Sequence, residues 1–156
     1  MTVQNISSLQ ELQKLGKKTS LIVLDFYTTW CGPCKRIAPE FQSIAMRSEY
    51  TDKVGFFKVD AEEAEELADK YRISCFPTFI ITDATGNALE RIEGADLRSL
   101  TLKLGKQVAK RNGKIDTGAV QIREDFQEEK EIKCERKTTT KKYTNGLFDP
   151  LFKIFG

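Results

Sequence analysis

The stretch TTWCGPCKRIAPEF, residues 28–41, sets Cys31 and Cys34 one helical turn apart, with Gly32 and Pro33 between them and Trp30 just before. Upstream, LIVLDFY (21–27) is a near-continuous apolar run, the pattern of a strand buried on both faces. Downstream, a helical pattern continues to about Met46, with a kink expected at the internal Pro39. The cysteine pair therefore falls where a buried strand ends and a helix begins.

Working outward, the chain alternates. SLQELQKLG (8–16) reads as a helix capped by Ser7 or Ser8 and stopped at Gly16. VGFFKVD (54–60) reads as a strand and AEEAEELADKYR (61–72) as a helix whose acidic front suits the macrodipole. TFIIT (78–82), the turn DATG (83–86) and NALERIE (87–93) make a hairpin, and Asp96 can cap a last helix to about Lys110. This order implies an α/β fold, a mixed central sheet with helices on both faces. The expected division is a domain over 1–111 and a tail over 112–156. From 113 to 142 the tail is polar, with an acidic cluster and then a basic one, and is read as largely disordered. FDPLFKIF (148–155) is apolar, capped by Asp149 with Pro150 at the first helical position, and is expected to dock on its own domain, a partner groove or a membrane surface.

Composition bounds the function. The 156 residues are 40% hydrophobic, enough for one ordinary core. A net charge of +2 gives no reason to expect nucleic acid or an anionic membrane as the main partner. MTVQNISSLQ has no secretory pattern and LIVL (21–24) is too short to span a bilayer, so a cytoplasmic or nuclear location is expected, where thiols are mostly reduced. With no histidine in the chain, Cys/His catalysis and mixed zinc sites are excluded.

The paired thiols have several readings. A zinc half-site needs two more ligands, and Cys75 and Cys134 do not form a second close pair. Haem attachment needs a histidine after Cys34, where Lys35 stands. Two unrelated buried cysteines are the bland alternative. A redox dithiol fits the context best, and no metal or cofactor is expected. The unpaired N–H groups and the dipole at a helix N-terminus stabilise a thiolate at Cys31. Lowering a thiol pKa from ~8.5 to roughly 7 raises its thiolate fraction at neutral pH from about 5% to about half. Cys31 is then the attacking sulfur. Cys34, three residues on and shielded within the helix, is the resolving one. Gly32 permits close approach of a substrate backbone, and Pro33 stiffens the loop without losing a needed N–H. Trp30 offers an apolar wall beside the sulfur, or simply packs in the core. Asp25 is a lone acid inside the apolar strand; with its pKa raised by burial it would accept the Cys34 proton, unless its side chain turns out to solvent or caps a neighbour.

The chain resembles the thioredoxin family in LDFYTTWCGPCK (24–35), CFPTF (75–79) and IEGAD (92–96), together covering residues 1 to about 110. The resemblance implies a thioredoxin fold and a protein-disulfide reductase active in cell redox homeostasis. Its partners would be disulfide-containing proteins and an NADPH-dependent thioredoxin reductase. It also implies that Pro77 is cis, that the backbone at Phe76 receives an extended substrate segment, and that Gly94 leaves room on the other groove wall. Where bacterial members place a lysine near the buried Asp, this chain has Phe56; no lysine contribution to Asp25 is carried over, and none is transferred to Lys58. Cys75 resembles an extra cysteine of animal members and is a candidate regulatory thiol or a buried packing residue. Cys134, among lysines and an arginine, is a second candidate or an incidental cysteine. The rival class is a redox-sensitive binding module, and a second enzymatic rival is an oxidase or isomerase.

Overall fold

A computed structural model describes residues 3–112 and 135–136. In chain order the elements are β1 (Gln4–Asn5), α1 (Leu9–Gly16), β2 (Leu21–Tyr27), α2 (Gly32–Ala45), β3 (Val54–Asp60), α3 (Glu65–Lys70), β4 (Cys75–Phe76), β5 (Thr78–Asp83), β6 (Ala88–Glu93), α4 (Leu97–Arg111) and β7 (Glu135–Arg136). A single 3-10 turn, Ser48–Tyr50, follows α2. Five strands form one mixed sheet in the order β1-β3-β2-β5-β6. β1, β3 and β2 run parallel, and β5 and β6 are antiparallel additions.

Alternation along β2 explains why its sequence is apolar on nearly every residue. Ile22, Leu24 and Phe26 face one side, packed with Leu12 of α1 and Leu67 and Ala68 of α3. Leu21 and Val23 face the other, packed with Ile37, Phe41 and Ile44 of α2 and Leu100 and Leu104 of α4. Each fully buried side chain of this size contributes about 2 kcal/mol of transfer free energy. Helices on both faces leave only Tyr27 of the central strand partly open to solvent, and the expected mixed sheet with two covered faces is the observed one.

Local chemistry sets the element ends. Ser8 Oγ accepts the Glu11 N–H at 3.3 Å to open α1, and Asp96 Oδ1 accepts the Ser99 N–H at 2.9 Å to open α4. The β5–β6 turn is tied by Asp83 Oδ1, which accepts the Thr85 and Asn87 N–H groups. α2 runs through Pro39 as one helix.

Three elements depart from the sequence reading. β1 carries two exposed polar residues and is held by its backbone on Phe57 and Lys58, so no hydrophobic pattern announces it. α3 begins at Glu65 rather than Ala61. There the Asp60 side chain accepts the Glu62 N–H at 3.0 Å and its carbonyl accepts the Ala64 N–H at 2.8 Å, which turns the chain before the helix starts. Within the stretch read as largely disordered, Glu135–Arg136 forms β7, antiparallel to β4 with Phe76 opposite Glu135 and Cys75 opposite Arg136. Cys134 and the apolar segment 147–155, with its expected docking, lie outside the described residues.

Candidate active site

The loop from β2 into α2 delivers the two cysteines. Cys31 is the N-cap of α2: its backbone is extended, and its Sγ accepts the Cys34 N–H at 3.2 Å. Cys31 and Cys34 are joined by a disulfide with their Cα atoms 5.4 Å apart. One turn of helix brings the thiols within bonding reach, as the spacing predicts. The Cys34 N–H is one of the unpaired donors at the helix start, so it and the dipole favour negative charge on Cys31 Sγ. Gly32 opens α2 with nothing near the place of a Cβ, and Pro33 follows in the first turn. The expected difference in exposure between the two thiols is not found. Cys31 is 0% exposed and Cys34 3%, so what distinguishes them is the cap position of Cys31.

Trp30 is 47% exposed, which removes the core-packing alternative. Its ring stands edge-on to Phe76, with centroids 5.9 Å apart, and its Nε1–H donates to Glu62 Oε1 at 2.9 Å. Glu62 is a site residue that sequence reasoning missed; it was visible as one acid of the run 62–66 but not distinguishable within it.

Asp25 is wholly buried and, among the described residues, neither carboxylate oxygen has a hydrogen-bond partner. The alternatives in which it caps a neighbour or turns to solvent are therefore excluded. Burial raises its pKa to about 7, against an opposing pull from Lys58. A lysine contribution that sequence reasoning had no ground to carry over is thus present, and it comes from Lys58. The β2–β3 register sets Lys58 opposite Asp25, on the same side of the sheet, although the position expected from the family is Phe56. Lys58 also stands 4.1 Å over the Tyr27 ring. Asp25 alternates with Leu21 and Val23 and so lies on the sheet face covered by α2.

The segment between α3 and β5 meets the reactive loop where Phe76 packs on Trp30. The Phe76–Pro77 peptide is cis, and the Pro77 carbonyl accepts the Gly94 N–H at 2.8 Å. Gly94 has φ +88°, a conformation that favours glycine. Cys75 is buried, its Sγ 3.7 Å from Thr78 Oγ1, and that hydroxyl donates to the Cys75 carbonyl at 2.8 Å. Cys75 is itself disulfide-bonded, and among the described residues no cysteine is free. Among the described residues no helix is long and apolar enough to cross a membrane.

A strand that ends in a paired dithiol at a helix N-terminus, in a chain with a cis peptide before Pro77, defines a thiol–disulfide oxidoreductase. The thioredoxin family model matches residues 4–107, and the chain belongs to the thioredoxin family. Thioredoxin of Malassezia sympodialis is 39% identical over 94 residues, 60% of this chain and 88% of that one. Thioredoxin-1 of Caenorhabditis elegans is 44% identical over 89 residues, 57% of this chain and 74% of that one. The crystal structure of the Malassezia sympodialis thioredoxin superposes with a TM-score of 0.63 at 36% identity, over 69% of this chain and 92% of that one. The protein is a protein-disulfide reductase, exchanging its Cys31–Cys34 pair with disulfides of other proteins.

Proposed function

We propose that the two cysteines divide the reaction by position in α2 and that an NADPH-dependent thioredoxin reductase restores them. The cap geometry of Cys31 carries this reading: a sulfur that accepts an N–H bond at a helix N-terminus is the one held as thiolate. Cys31 Sγ attacks one sulfur of the substrate disulfide and expels the other as a thiolate, forming a mixed disulfide. Cys34, deprotonated by the buried Asp25, attacks Cys31 Sγ and releases the second substrate thiol. The Cys31–Cys34 disulfide remains and takes two electrons from the reductase. Asp25 suits this part because its pKa of about 7 lets it gain and lose a proton near neutrality.

Trp30, the Phe76 backbone and Gly94 would line the substrate groove, with Gly32 and Pro33 shaping the reactive loop. The working compartment would be the cytoplasm or nucleus, since an oxidising one would hold the pair as the disulfide. The test starts from dithiothreitol-reduced protein, supplied with NADPH, thioredoxin reductase and a protein disulfide. Wild type turns over, Cys31→Ser does not, and Cys34→Ser accumulates as a covalent adduct of the substrate through Cys31. An adduct that forms instead in Cys31→Ser reverses the two roles. Turnover with dithiothreitol but none with the reductase removes that partner.

A further inference from the structure

Three observations converge on the edge of β4. β7, drawn from the tail, lies antiparallel on Cys75–Phe76, the backbone proposed above to receive a substrate segment. Cys75 is disulfide-bonded, while Cys31 and Cys34 are bonded to each other. The chain has four cysteines, and the remaining one, Cys134, immediately precedes Glu135 of β7. Consecutive Cα atoms are about 3.8 Å apart, so the covalent chain keeps Cys134 within one residue of Glu135, which pairs with Phe76. Cys31, which must be reached by any substrate, is 0% exposed.

We propose that Cys75 and Cys134 form a second, regulatory disulfide that fastens β7 along β4, so that the oxidised chain occupies its own substrate groove. The groove assignment rests on the reductase reading above; the disulfide does not. Antiparallel backbone pairing is the mode by which an extended peptide adds to a free strand edge, so the tail segment imitates a substrate. The connecting stretch, about 20 residues, spans roughly 70 Å at full extension and imposes no obstacle to reach. A tethered segment competes as though present at about millimolar concentration, well above ordinary protein substrates.

The pair forms at the expense of a small disulfide, RSSR. The Cys134 thiolate, favoured by Lys133 and Arg136, attacks one sulfur of RSSR and expels RS⁻. The Cys75 thiolate then attacks Cys134 Sγ and expels the second RS⁻. Two electrons pass from the two cysteines to RSSR, and the two RS⁻ take up the two protons the cysteines gave up and leave as two thiols. A dithiol reverses both steps.

The full chain treated with oxidised glutathione, digested with trypsin without reduction and analysed by mass spectrometry, decides the disulfide. The expected species joins peptide 73–91 to peptide 134–136, and its absence overturns the proposal. Occlusion is read from the initial rate of reduction of a protein disulfide by the glutathione-treated chain supplied with NADPH and thioredoxin reductase, which returns electrons to the Cys31–Cys34 pair. Wild type should start at least about tenfold below Cys134→Ser, and dithiothreitol pretreatment should erase the difference. Equal initial rates with the cross-link present overturn the occlusion. If wild type and Cys134→Ser are both inactive after dithiothreitol, the reductase reading fails, while the mapped peptides still decide the second disulfide.

Discussion

β2 leads the chain to Cys31 and β4 carries Cys75, and they are opposite kinds of strand. β2 has seven residues, is hydrogen-bonded to neighbours on both sides, and buries every residue but Tyr27. β4 has two residues and pairs with β7, a segment from the far end of the chain. The Cys31–Cys34 pair follows from local geometry alone, because one helical turn places the sulfurs together. The environment of Cys75 depends on a strand partner separated from it by the last third of the domain and the first part of the tail. A short strand edge is a place where one backbone can replace another, and a fully paired central strand is not.

The sharpest way to test that contrast lies on β2. Asp25 has a pKa of about 7 in place of 3.8, raised by burial and lowered by Lys58. Between those values the folded protein holds a proton that the unfolded chain has released. Its contribution to stability therefore falls as pH rises from about 4 to about 7 and is level above that. At about 1.4 kcal/mol per unit, the loss reaches about 4 kcal/mol. Asp25→Ala should remove this slope, and at pH 8 the variant should be the more stable protein by an amount approaching that figure. Urea unfolding at pH 4, 6 and 8 measures it; the same pH slope in both proteins would mean that the carboxyl is not titrating as a buried group. The same variant should release the mixed disulfide more slowly, on the order of 10²-fold, with the inflection of the wild-type profile near pH 7 lost.

What the sequence disclosed follows the same division. Leu21 to Tyr27, the Cys31–Cys34 spacing, the caps at Ser8 and Asp96 and the DATG turn are local signals, and each is found where its residues place it. Lys58 beside Asp25 was not legible, because it depends on the register of two parallel strands, which neither strand's pattern specifies by itself. The pairing of Glu135 with Phe76 was hidden for a related reason: a two-residue charged strand has no alternation to read. The burial of Cys31 is likewise a tertiary fact, and the sequence rule that the attacking thiol is the more exposed one fails here.

On the β4 side the expected effects are smaller, because that wall is built from backbone and a half-exposed ring. Gly94 holds φ +88° and donates to the Pro77 carbonyl. A side chain in that conformation costs about 1–2 kcal/mol, so Gly94→Ala should lower the urea unfolding free energy by that much. The Cys31–Cys34 pair should still form in the variant, since nothing in α2 changes. An unaltered unfolding free energy would show that the turn relaxes to a conformation open to any residue.

Trp30 gives the smallest effect and separates packing from recognition. A tryptophan buried in a core costs about 3–5 kcal/mol when cut back to alanine. At 47% exposure, and with its Nε1–H held by Glu62, Trp30 should cost no more than about 1 kcal/mol. Its larger consequence should fall on KM for a protein disulfide, since the ring forms a wall with Phe76 rather than filling the interior. Loss of about 1 kcal/mol of substrate contact raises KM roughly fivefold, with kcat little changed. Steady-state kinetics and urea unfolding on Trp30→Ala resolve the two contributions. A stability loss of core size with KM unchanged would assign the ring to packing and leave the groove to the backbone of β4.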